Sequence, residues 1–274
     1  MEAIIKAKPN SLLIKIGVNF FENMSEPMNN KLPELMELLQ VIENNDVVNN
    51  LRFLADRFPN QVCISNGFGL EGQVLTHLIF SNDIPIKVFT IDTGRMFMET
   101  YAVWSSTINR YDKKIISYSA DREAVENLMT NDGPNGFYCD VAARKRCCYT
   151  RKVVPLQRAL AGQKIWISGI RAEQSEERSE MSLFSWDASR SLYKYNPLFH
   201  WSETEIKEFI RAYNIPYNSL YDRGFQSIGC APCTRAVLPG QDQRSGRWWW
   251  EDSSTKECGI HLPAKPTEPQ TFTI

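Results

Sequence analysis

The chain has 274 residues, 43% of them apolar, which suits one large α/β domain or one domain with appendages. Its formal net charge of −1 provides no global field toward nucleic acid or a membrane surface, so any basic cluster must act locally. Seven cysteines, an odd number without the spacing of a small secreted scaffold, argue against a disulfide framework and for a reducing, cytoplasmic setting. No apolar run approaches the ~20 residues of a membrane span. Residues 11–21 are short, contain Lys15 and lack a cleavage pattern after them, so no signal peptide is expected.

Residues 1–30 read as an N-terminal arm, polar from Asn23 to Asn30. The arm packs on the body or on another subunit, and a homo-oligomer is one of those two readings. Leu35, Leu38, Leu39 and Ile42 recur at helical spacing, as do Val47, Leu51, Leu54 and Phe58, with Asp46 as N-cap and Pro59 as the stop. Strands are expected at Gln61–Ser65, Ile86–Ile91, Lys114–Tyr118 and Lys164–Ser168. Helices are expected around Val74–Ile79, over Met96–Arg110, from Asp121, and over Ala142–Leu160 with a kink point at Pro155. Ser182–Tyr195 reads as a β-ribbon, and Ser202-Glu203-Thr204-Glu205 is a capping box opening a helix to about Tyr213. Alternating strands and helices predict an α/β fold, a parallel sheet with helices on both faces, over 31–226. Residues 227–274 form a C-terminal segment rich in Gly, Pro, Arg and Trp, a tail that could close over the sheet.

In open parallel sheets ligands sit beyond the carboxyl ends of the strands. The first strand runs into Ser65-Asn66-Gly67-Phe68-Gly69, where Gly67 and Gly69 let backbone amides approach an anion or nucleotide at a helix N-terminus. No Gly-Lys-Ser/Thr follows, so this is not a Walker A loop. The second strand ends in Asp92-Thr93-Gly94-Arg95, a sharp polar turn. Each alone could be an ordinary strand-to-helix turn; on adjacent strands they favour nucleotide binding. Arg171, after the fourth strand, either reaches the cleft or pairs with Glu173, Glu176 or Glu177.

Cys230-Ala231-Pro232-Cys233 has metal-ligand spacing that serves zinc, iron-sulfur clusters or a redox dithiol. Cys147-Cys148 is a tandem pair in a run with five basic residues among nine, Arg144 to Lys152. Neighbouring thiolates suit separate iron corners of a cubane better than one tetrahedral zinc, so 4Fe-4S stands ahead of zinc. Two small buried helix residues is the plainer alternative. The basic run fits a local anion or a negatively charged metal-thiolate cluster better than nucleic acid. Cys63 lies in an apolar strand and reads as core. Cys139 is a spare or packing thiol and the rival ligand. Cys258 is solitary, between Lys256 and His261, where cations would raise its thiolate fraction; an incidental tail cysteine is the plainer alternative.

With these residues assembled, the chain from about Leu51 to Leu262 resembles the assimilatory, thioredoxin-dependent adenylyl-sulfate reductases of the 3′-phosphoadenylyl-sulfate reductase family. The resemblance is carried by Thr90–Arg95, Cys147-Cys148, Ser227–Arg235, Gly246–Glu251 and Lys256–His261. It implies an adenine-nucleotide α-hydrolase-like (Rossmann-like) fold, a 4Fe-4S cluster on Cys147, Cys148, Cys230 and Cys233, and a C-terminal tail carrying catalytic Cys258. The implied reaction begins with attack of Cys258 on the sulfur of adenylyl sulfate and departure of AMP. Reduced thioredoxin then releases sulfite, the chemistry of sulfate assimilation and cysteine biosynthesis. Ser65, Gly67, Phe68, Gly69, Asp92, Thr93, Gly94 and Arg171 are expected to bind substrate. Lys152, Arg244, Arg247 and His261 would meet the phosphosulfate. The first loop departs from the family's usual Ser-Thr-Ser-Phe-Gly-x-Glu-Asp/Ser at Asn66, Gly67 and Gly72. Rival readings are a reductase of the 3′-phosphorylated substrate or of both, an iron-sulfur tRNA sulfur transferase, and a zinc-stabilised binding module.

Overall fold

The computed structural model describes residues 31–251. The arm at 1–30 and the tail from residue 252, with Lys256, Cys258 and His261, lie outside the described residues. Two helices lead in, α1 (Leu32–Asn44) and α2 (Val47–Arg57). Asp46 caps α2 as expected, its carboxylate accepting from the Asn49 amide at 2.9 Å. Then follow β1 (Val62–Ser65), α3 (Leu70–Ser81), β2 (Lys87–Asp92), α4 (Met98–Tyr111), β3 (Ile116–Ser119) and α5 (Arg122–Asp132). After them come α6 (Val141–Cys148), α7 (Val154–Leu160), β4 (Ile165–Ile167) and the short α8 (Glu176–Ser179). The ribbon β5 (Phe184–Asp187) and β6 (Leu192–Tyr195) precedes α9 (Glu203–Ala212). Ser202 and Glu205 close the expected capping box at α9.

The sheet has six strands in the order β3-β2-β1-β4-β6-β5. All neighbours are parallel except the β5–β6 ribbon. The chain winds outward from β1 through β2 to β3, then crosses to β4 on the other side of β1. The order therefore reverses between β1 and β4, which opens a crevice at their carboxyl ends. The expected third strand starts two residues later than its apolar pattern suggested, because pairing with β2 begins at Phe89↔Ile116.

Side-chain alternation along the strands divides the core between the two faces of the sheet. Val62, Ile64, Val88, Ile165, Ile167, Tyr193 and Tyr195 meet α1, α2, α3 and α9 on one face. Cys63, Phe89, Trp166 and Leu192 point the other way, toward Leu156, Ala159 and Leu160 of α7 and toward Phe137, Cys233 and Trp248. Cys63 is fully buried, as its apolar strand implied.

The expected helix over Ala142–Leu160 is present but interrupted. One π-helical turn, Tyr149–Val153, joins α6 to α7. Pro155 explains it: the ring lacks an amide hydrogen and crowds the carbonyl four residues back, so the turn before it widens. This turn carries Arg151 and Lys152 directly after the cysteine pair.

Candidate functional site: four cysteines and their cations

Three segments converge beyond the carboxyl end of β2. The first is the turn Asp92–Arg95. Asp92 accepts from the Gly94 amide at 2.8 Å and from the Tyr101 hydroxyl at 2.9 Å. Gly94 has φ +68°, a conformation costly for other residues. The second segment is the single turn Ala231–Cys233, sewn to the first by the Ala231 amide donating to the Arg95 carbonyl at 2.8 Å. The Tyr138 hydroxyl donates to the Pro232 carbonyl at 2.6 Å and steadies the same turn. The third segment is the end of α6 with its π turn.

Together they make one cavity lined by Cys147, Cys148, Cys230 and Cys233, by Arg95, Arg144, Arg151 and Lys152, and by Thr93, Phe137 and Pro232. Thr93 Oγ1 lies 3.3 Å from Cys230 Sγ. Arg151 donates to the Thr93 carbonyl at 2.9 Å and keeps a buried Nε with no partner. Arg247 likewise has a buried, unpartnered Nε. Burial raises the Cys147 thiol pKa, and the positive charge of Arg151 opposes the rise. Cys233 is pushed up to about 12 by burial and by the neighbouring Cys230. Cys139 is exposed and is absent from the cavity wall. Among the described residues, no three His, Cys, Asp or Glu side chains form a group able to hold a single metal ion.

Behind this wall stands a buried charge pair. Arg144 donates to Glu251 through Nε at 2.9 Å and Nη2 at 2.7 Å, and both side chains are 2% exposed. The guanidinium groups of Arg144 and Arg247 each lie 4.7 Å from a ring centroid of Trp248, which is itself buried. Gly229 is required here, since a Cβ at that position would overlap the Arg247 guanidinium. That is the local reason for glycine in Ile228-Gly229-Cys230.

The other expected residues fall in two groups. Ser65, Gly67, Phe68 and Gly69 form the turn from β1 into α3, with Gly69 as its N-cap. Ser65 accepts from Trp166 Nε1 at 3.0 Å. Phe68 has φ 58° and is fully buried, its ring stacked on Trp104 with centroids 5.4 Å apart. It can therefore serve the crevice through its backbone only. Arg171 is buried and donates to Glu71 and Glu173, both at 2.8 Å. Of its two sequence readings, the structure supports pairing with Glu173, and it adds Glu71 of the β1–α3 loop. Arg244 sits in the turn before Arg247, whose amide donates to its carbonyl at 2.8 Å. Cys258 and His261 lie outside the described residues.

Sequence reasoning did not single out Arg95, Arg144 and Arg151 as wall residues. A signal was available at helical spacing, since Arg144 precedes Cys148 by four residues and Arg151 follows Cys147 by four.

This fold and this cavity define a class: a mostly parallel α/β sheet with a thiol- and arginine-lined cavity beyond its carboxyl edge. The phosphoadenosine phosphosulfate reductase domain model matches residues 61–236. A protein of Allochromatium vinosum called adenosine 5′-phosphosulfate reductase is 46% identical over 202 residues, 74% of this chain and 79% of that one. One of the same description from Agrobacterium fabrum is 38% identical over 229 residues, 84% of this chain and 88% of its own. The chain belongs to the phosphoadenosine phosphosulfate reductase family. In fold it resembles the phosphoadenylyl-sulfate reductase of Candida auris, solved as a phosphate complex, at a TM-score of 0.64 and 24% identity, covering 78% of this chain and 98% of that one. Among the described residues no helix is long and apolar enough to cross a membrane.

Proposed function

We propose that this chain is an oxidoreductase that reduces adenylyl sulfate to sulfite and AMP, in sulfate assimilation, with reduced thioredoxin as the electron donor. The observation that carries the reading is the convergence of two cysteine pairs and four cationic side chains on one cavity, in a chain whose relatives bear the name adenosine 5′-phosphosulfate reductase. A cationic wall is what the reaction demands, because thiolate attack on a dianionic substrate is electrostatically opposed.

The cysteine set fits a 4Fe-4S cluster. Four sulfur donors face one cavity, and the buried, unpartnered Nε atoms of Arg151 and Arg247 offer charge to an anionic group nearby. Cys147, Cys148, Cys230 and Cys233 would hold it. When bound, such a cluster supplies fixed electrostatics beside the substrate site.

Cys258 is the nucleophile in this reading. Its thiolate attacks the sulfonate sulfur, the S–O bond breaks, and AMP departs with the electron pair. Lys152, Arg244, Arg247 and His261 are assigned to the phosphosulfate. A thioredoxin thiolate then attacks Cys258 Sγ, releasing sulfite with the electrons of the S–S bond, and the second thioredoxin thiol resolves the mixed disulfide. The thiol must meet the substrate and then the protein donor, two steps that need different exposure.

The test mixes enzyme with adenylyl sulfate in the absence of thioredoxin. One SO₃ mass should appear on the peptide containing Cys258, with one AMP released per site. Cys258→Ser should bind AMP yet show neither event. Sulfite formation by Cys258→Ser would overturn the assignment. kcat/KM should favour adenylyl sulfate over its 3′-phosphorylated form; equal or better use of the latter would replace the substrate named here.

A further inference from the structure

Arginines that line an anion site face a physical conflict. Their N–H donors need partners, yet a carboxylate partner would cancel the charge the site requires. Other arginines of this molecule accept that cancellation: Arg144 pairs with Glu251, Arg146 with Asp132, and Arg171 with Glu71 and Glu173. Arg95 and Arg151, on the cysteine wall, resolve it differently.

Their guanidinium groups converge on one thioether. Arg95 Nη2 lies 3.8 Å from Met129 Sδ, and Arg151 Nη2 lies 3.6 Å from the same atom. Two backbone carbonyls add to the hold: Arg95 donates to Pro134 at 2.6 Å and Arg151 to Thr93 at 2.9 Å. The Arg95 guanidinium also lies 5.1 Å from the Phe137 ring centroid. None of these partners is a carboxylate. Met129 sits in the last turn of α5, where its carbonyl accepts from the Gly133 amide at 3.0 Å. No residue of α5 is fully buried; half-buried Met129 instead lines a small side cavity that shares Arg95, Arg151 and Cys147 with the main one. Asp132 is on that side cavity too and is the carboxylate best placed to capture these arginines. Arg146 draws it off with two bonds, at 3.1 and 3.0 Å.

We infer that Met129 is a positioning residue, an uncharged acceptor shared by Arg95 and Arg151 that aims both guanidinium groups at the cysteine wall with their charge intact. This rests on the reading of the four cysteines as ligands of an anionic metal–thiolate site. A thioether is a weak acceptor, so it orients the arginines without neutralising them. A carboxylate at the same distance would bind them as a fork and set a negative charge beside the thiolates. Met129 needs no contact with the metal or the substrate.

The experiment compares wild type with Met129→Leu, Met129→Gln and Met129→Glu, all of similar volume on a half-buried helix face. Each full-length protein is purified anaerobically and its iron, zinc and acid-labile sulfide are measured. Release of the bound metal to 2,2′-bipyridine is then followed; this chelator is neutral, so the cationic wall does not bias its approach. Because outer-shell partners change metal affinity by about 10–100-fold, release should quicken roughly tenfold or more in Met129→Glu and about threefold or more in Met129→Leu. Met129→Gln, which restores an uncharged acceptor, should stay within about twofold of wild type. A packing role alone predicts the reverse order, with Leu matching wild type and Gln impaired, and that order would overturn the inference. So would equal rates in Met129→Gln and Met129→Glu, since charge would then be irrelevant. Zinc without sulfide in the wild type defeats the cluster reading, while the same rank order of zinc release still decides the role of Met129. If the wild type holds no metal, the ratio of Cys147 alkylation rates by anionic iodoacetate and neutral iodoacetamide replaces release. That ratio should fall in Met129→Leu and Met129→Glu and hold in Met129→Gln; a ratio unchanged across the series would overturn the inference.

Discussion

Asn66 shows how one residue organises the loop between β1 and α3. Its side chain is buried and donates to Gln73 and Thr76, both at 2.9 Å, while its carbonyl oxygen accepts from the Phe68 amide at 2.6 Å. That last bond helps hold Phe68 at its positive φ. Gln73 passes the contact on to Thr107 at 2.8 Å and to the Pro216 carbonyl at 2.7 Å. The network leaves no room at Gly72, where a Cβ would stand 2.5 Å from Asn66 Oδ1. Asn66 and Gly72, two of the three positions at which the loop departs from its family's pattern, are thus a matched pair. Gly72→Ala should cost about 1–3 kcal/mol in urea denaturation, since it dislodges a buried hydrogen-bonded amide. Adding Asn66→Ser should recover much of that loss. Full stability in Gly72→Ala would show that the loop yields without strain.

At the scale of elements, the contact between α3 and α4 carries a pH dependence. His77 of α3 is 8% exposed, and its Nδ1 is 2.9 Å from the Tyr111 hydroxyl and 3.1 Å from Ser81 Oγ. Phe209 and Tyr213 pack on the ring, and Arg110 adds a positive charge. Burial first, then Arg110, lowers its pKa from an ordinary 6.5 to about 4. The folded protein therefore favours the neutral ring, and the unfolded chain binds the extra proton between those values. Stability contributed by the neutral ring is complete above pH 6.5 and is lost as pH falls toward 4. Thermal melts should show Tm declining over that window, and His77→Gln should flatten that part of the decline. An unchanged slope in the variant would place the acid sensitivity elsewhere. On the opposite face, the π turn between α6 and α7 brings Arg151 and Lys152 to the cysteine wall.

For the whole molecule, the decisive property is that near-neutral overall charge coexists with a strongly cationic cavity. Charge is concentrated beyond the carboxyl end of β2, where the three segments meet, which favours one small anion over a nucleic acid footprint. The cysteine assignment is checked on the intact protein. Anaerobically purified enzyme should be brown, with iron and acid-labile sulfide in equal amounts. Cys139→Ser should retain both, because that thiol is exposed and off the cavity wall, while Cys148→Ser should lose them. Stoichiometric zinc without sulfide would overturn the assignment.

Hydrophobic period and turn chemistry made the α/β alternation legible, because strands that alternate between two buried faces and helices with capping residues state their own geometry locally. The cysteine spacings and the two strand-end loops were legible for the same reason: each is a short stretch whose residue types are unusual together. The tertiary structure alone decided which cations share a wall with which thiols. Helical spacing ties Arg144 and Arg151 to the cysteine pair, but no local pattern reports that Arg95, from a strand end, faces the same cavity. Arg171 read equally well as a cleft residue or as a paired arginine, and a salt-bridge partner 100 residues earlier in the chain, Glu71, is invisible to local sequence. Local periodicity fixes elements because backbone conformation depends on neighbours in the chain; pairing of charges depends on neighbours in space, which only the sheet order and its crossover bring together.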